Sequence, residues 1–141
     1  MNTNLLVVLA SIVFFGSMAH GGSDEQEFLN TQSFMTLQDA KIRWGDKKKF
    51  DPAEFKVGTP SARSKMAVNL IQTEKMIGKT PGEIRGFLGP FSGFFWSDYI
   101  PSYVLEEGWA IGKDTWQLVF LLNDSGKVKT VRIHKNCCAK K

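Results

Sequence analysis

Residues 5 to 19 form an apolar run without a charged side chain, and beyond it polar stretches alternate with amphipathic segments. The run predicts a signal peptide over residues 1–19, because Ser17 and Ala19 place small side chains three and one residues before a cleavage point. As a helix it rises only about 22 Å, short of the roughly 30 Å hydrocarbon core that an anchor spans. No cysteine lies near the cut, so a lipid-anchored N-terminus is not expected. Residues 20–50 are polar, rich in Gly, Ser and Asn over their first half, and read as a flexible N-terminal arm.

Helical punctuation begins at Asp51. Asp51-Pro52-Ala53-Glu54 supplies an N-cap, a proline at the first helical position and a Glu three residues after the cap, which predicts a short turn bearing Phe55. Thr59-Pro60 opens a longer helix to about Glu74, with Ala62, Met66, Ala67, Leu70 and Ile71 at helical spacing. Thr80-Pro81-Gly82-Glu83 is a capping box, followed by Ile84, Phe87 and Leu88, and Gly89-Pro90 stops that helix. After Pro90 the period changes. Phe94 to Trp96 and Tyr99 to Leu105 suit one strand interrupted near Pro101, or an aromatic loop feeding a strand. Thr115 to Leu122 aligns Trp116, Leu118, Phe120 and Leu122 on one side, and Asn123 to Gly126 turns the chain back into Lys127 to His134.

The resulting fold class is α+β: two short helices packed on one face of an approximately three-stranded antiparallel sheet, within a domain over residues 51–134 and ahead of a tail over 135–141. At 141 residues, with 43% hydrophobic and 23% charged side chains, the chain suits one small globular domain. Eighteen basic residues exceed fourteen acidic ones, for a net charge of +4. That excess is mild and scattered, which argues against nucleic acid and leaves room for weak contact with an anionic membrane surface, for which Lys47-Lys48-Lys49 beside Trp44 is the candidate.

The run Ile77-Gly78-Lys79-Thr80-Pro81-Gly82-Glu83-Ile84-Arg85-Gly86-Phe87-Leu88-Gly89-Pro90 carries further information. Taken with Trp116-Gln117-Leu118-Val119-Phe120 and Asp124-Ser125-Gly126-Lys127-Val128, it resembles the BamE or SmpA/OmlA family of bacterial envelope proteins over roughly residues 76–133. The resemblance implies an ααβββ domain, also seen in the β-lactamase inhibitor protein. It further implies a periplasmic or secreted protein that binds another envelope protein and is not an enzyme. A small secreted enzyme inhibitor of the same fold is the alternative from another class.

Chemistry-bearing clusters are sparse, and no cofactor is expected. His134, Cys137 and Cys138 have a His-x-x-Cys-Cys spacing suited to copper(I) or to zinc with a fourth ligand. In an oxidising compartment the same cysteines suit a disulfide, to each other or between chains, and free thiols remain open. Glu106 and Glu107 are adjacent carboxylates whose side chains are expected to point apart into solvent. Gly-x-Ser-x-Gly does not occur. Aromatic density from Phe91 to Trp116 is the strongest binding signal. Trp96, Tyr99, Tyr103 and Trp109 are the expected partner-binding residues, because aromatic side chains dominate interface hot spots.

Overall fold

The computed structural model describes residues 34–108 and 114–136. Among these, the elements in chain order are β1 (Phe34–Met35), α1 (Leu37–Trp44), α2 (Pro52–Val57), α3 (Pro60–Thr73), α4 (Pro81–Leu88), β2 (Ser102–Glu106), β3 (Thr115–Leu122) and β4 (Val128–Asn136). The strands form one antiparallel sheet in the order β1-β4-β3-β2. No helix among the described residues is long and apolar enough to cross a membrane. The leader lies outside them.

Each helix starts where its side chains satisfy first-turn amides that helix geometry leaves open. Asp51 accepts from Glu54 N at 2.8 Å, and Thr59 accepts from Ala62 N at 3.3 Å. At α4 the capping box closes both ways, Glu83 N donating to Thr80 Oγ1 at 3.2 Å and Thr80 N to Glu83 Oε2 at 2.7 Å. The Thr80 backbone N–H, and after it the Thr80 side chain, hold the exposed Glu83 carboxyl below its ordinary pKa. Gly89 ends α4 at φ 86°, a conformation that glycine adopts without a Cβ penalty.

The α+β class stands, with more elements than expected. Residues 34–50, read from their polarity as part of a flexible arm, instead hold β1 and α1. Thr36 caps α1, while Leu37, Ala40 and Trp44 turn one stripe toward the core. β1 adds a fourth strand by pairing Phe34 with His134 and Met35 with Ile133. Short amphipathic stretches inside a polar segment carry little hydrophobic signal, which is why both were missed.

α3 packs on β2, α2 against α4 and α3, and α1 against α3. Between the helices and the sheet, Phe55, Met66, Leu70, Ile84, Leu88, Tyr103, Leu105, Leu118, Phe120 and Ile133 are buried together. Burying each large apolar side chain contributes roughly 1.5–3 kcal/mol. Tyr103 sits at the centre, its ring edge-on to Phe55, Phe91 and Phe120. Phe87 leaves the expected apolar face of α4 and is half exposed beneath Lys79 Nζ at 4.7 Å.

Candidate functional site: an aromatic loop clamped on the sheet

β3 reads as an apolar strand broken by one amide, Gln117. Trp116, Leu118, Phe120 and Leu122 turn toward the main core, as the alternation predicts. Yet Gln117, Val119 and Leu121 on the alternate positions are buried as well. On that second face lies the segment between α4 and β2, with the Phe94 backbone bonded to Gln117 and Phe95 packed on His134.

Gln117 makes the attachment. Its Oε1 accepts from Phe94 N at 3.0 Å, and its Nε2 donates to Phe94 O at 2.8 Å and to Asn136 Oδ1 at 2.9 Å. Asn136 Nδ2 donates to the same Phe94 carbonyl at 3.2 Å. A side-chain amide offers a donor pair and an acceptor in one plane, so it can satisfy a backbone N–H and C=O together. Ser92 N and Gly93 N donate to Ser102 O at 3.0 and 2.9 Å, and Val104 N donates to Ser92 Oγ at 3.0 Å, which caps the outer edge of β2. Gly93 is required by this approach: a Cβ there would sit 2.5 Å from Gln117 Oε1.

Beneath the loop, the His134 ring stands edge-on to Phe95 at 4.8 Å and to Phe34 at 5.4 Å between centroids. Its Nδ1 lies 3.4 Å from Gln117 Nε2. Burial pushes its pKa below the ordinary histidine value, partly opposed by a hydrogen bond to Asn136. His134 is thus a packed and engaged side chain. Cys137 and Cys138 lie outside the described residues. Among the described residues no three His, Cys, Asp or Glu side chains are grouped to hold a metal ion.

Anchored on both sides, the chain turns outward at Trp96, which takes the left-handed conformation at φ 63°. For a bulky residue this conformation is unusual and costs roughly 1–2 kcal/mol. Ser97 N donates to Phe95 O at 2.7 Å to close the turn. Three rings of this segment are left exposed: Trp96 is 65% exposed, Tyr99 62% and Phe94 50%. On β4, the Arg132 guanidinium lies 4.6 Å from the centre of the Phe34 ring.

Of the residues expected to bind a partner, Trp96 and Tyr99 are on this surface, and Trp109 lies outside the described residues. Tyr103 is excluded by burial, with 0% exposure and its hydroxyl donating to Gly89 O at 2.8 Å. Its position on β2 points inward with Leu105, and burial drives its pKa far above the ordinary tyrosine value. Phe94 and Gln117 belong to the site without having been expected there. Gln117 was visible as the one amide within an eight-residue strand of otherwise mostly apolar side chains.

The other candidates are also placed. Phe94 to Trp96 form a loop with one isolated bridge, Phe95 to Ser97, in place of a strand. Lys48 is paired with Glu54 at 2.8 Å, and Lys47 and Lys49 are exposed. Glu106 binds Arg43 through both oxygens and accepts from Trp44 Nε1 at 3.0 Å, while Glu107 is exposed. No protein-family model, curated protein or solved structure matches the chain.

Proposed function

We propose that this chain is a non-enzymatic protein-binding module of the bacterial cell envelope, secreted or periplasmic, related in kind to the BamE or SmpA/OmlA proteins. Its contact surface is the loop bearing Phe94, Trp96 and Tyr99. The observation that carries this reading is the exposure of three large rings on a segment whose backbone is fixed by a buried amide. Exposed aromatic clusters mark interaction sites, and Trp, Tyr and Arg are the residues that most often dominate binding energy. Fixing the loop beforehand reduces the ordering cost of association.

Capture of partners from envelope extracts tests this reading directly. Wild-type chain should retain a specific envelope protein. Trp96→Ala or Tyr99→Ala should lower that recovery at least tenfold, a loss of about 1.4 kcal/mol, while the melting temperature stays within a few degrees. Equal recovery by the variants would refute the assignment of the loop. An enzyme in place of an assembly component among the captured proteins would turn the reading toward an inhibitor.

A further inference from the structure

A second site lies at the end of β2 and shares no residue with the aromatic loop. Three elements meet there: the last residue of α1, the first turn of α3 and the residues that end β2. They enclose an open cleft of about 370 Å³ whose walls include Trp44, Thr59, Pro60, Ser61, Glu106 and Glu107. This volume is at the lower end of the roughly 300–1,000 Å³ typical of small-molecule clefts.

The cleft is built around a fixed indole. Trp44 Nε1 donates to Glu106 Oε2 at 3.0 Å, and the same carboxylate receives Arg43 Nε at 3.0 Å together with Arg43 Nη2. The indole N–H is therefore spent, and with the Arg43 guanidinium 5.9 Å from the ring centroid and part of the ring packed on the core, Trp44 offers the cleft the rest of its apolar surface. Glu106 is likewise matched in charge by Arg43. Glu107 at the exposed rim remains an open acceptor among the described residues. Opposite in chemistry, Ser61 brings a hydroxyl and a first-turn amide that its own helix cannot satisfy.

We propose that this cleft binds a neutral, hydroxyl-bearing ring of the hexopyranose class, laid against Trp44. Each hydroxyl of such a ring both donates and accepts, so one ligand serves the Glu107 carboxylate and the Ser61 donors together. Its C–H face supplies apolar contact for the indole. A cation would suit Glu107 but would face the positive pole of α3. An anion would suit that pole but would meet the Glu107 carboxylate. Neutral and hydroxylated is the chemistry that leaves neither end opposed.

The test is amide NMR of the full chain titrated separately with glucose, galactose, mannose and N-acetylglucosamine, and with arginine methyl ester and acetate as charged controls. At least one sugar should give saturable shifts centred on Trp44, Ser61 and Glu107. Glu107→Gln, an exposed change that leaves the melting temperature alone, should weaken that sugar about tenfold, as loss of a charge-assisted hydrogen bond does. The proposal fails if no sugar saturates the cleft in the millimolar range. It fails equally if arginine methyl ester or acetate produces those shifts instead, or if Glu107→Gln binds as tightly as the wild type. None of these results bears on the aromatic loop.

Discussion

Gln117 holds two layers of the protein together, because its buried amide serves Phe94 on the loop and Asn136 on the neighbouring strand. Gln117→Leu keeps nearly the same volume but leaves the Phe94 N–H without its acceptor. The expected cost is about 2–3 kcal/mol, read as a lower urea midpoint with an unchanged slope. His134 lies in the same layer, and its depressed pKa fixes the sign of a pH effect. Below the ordinary histidine value near 6.5 the unfolded chain takes up a proton that the native ring refuses. Stability supplied by His134 is therefore complete above that pH and is lost as pH falls toward the folded value. Urea midpoints at pH 7.5 and 5.5 should differ more for wild type than for His134→Gln. At this scale, exposure at Trp96 and Tyr99 was legible because both flank turn residues. The inward side of Tyr103 follows only once Leu105 is known to face the core.

Elements were most legible where a side chain caps them. The Asp51, Thr59 and Thr80 caps mark α2, α3 and α4 in the sequence, and all three are made in the structure. α1 has a cap of the same kind in Thr36, but its apolar stripe is only Leu37, Ala40 and Trp44, so polarity dominates the segment. Tertiary packing decides such a helix, since short helices have little stability alone. Ala40 is fully buried against the core. Ala40→Glu is expected to destabilise the protein by about 2–3 kcal/mol, because an unpaired carboxyl would be forced into that contact. Thermal unfolding measures this, and a silent substitution would mean that α1 is not docked. The loop from Phe94 to Trp96 was ambiguous for a physical reason: its aromatic residues suit a strand, but its backbone groups are met by Gln117 in place of a neighbouring strand.

For the whole molecule, the helices cover one face of the sheet and the aromatic loop covers part of the other. A half-buried antiparallel sheet shows polar residues on its outer face. Here Val119, Leu121 and Phe95 extend apolar burial to that side, and the rings that remain outside are Phe94, Trp96 and Tyr99. Burial of β3 on both faces is readable in its sequence, Thr-Trp-Gln-Leu-Val-Phe-Leu-Leu, whose apolar residues are nearly continuous from Leu118. What covers the second face is not readable there, because it depends on the long-range pairing of Gln117 with Phe94.

Site-specific photocrosslinking in living cells tests the role of that loop most directly, with a photoreactive phenylalanine analogue placed in turn at Trp96, Tyr99 and Val57. Val57 is an apolar control on α2, more exposed than either ring. Positions 96 and 99 should crosslink to one and the same envelope protein, with position 57 silent. Crosslinks from position 57 alone, or from none of the three, would contradict a partner site on the aromatic loop.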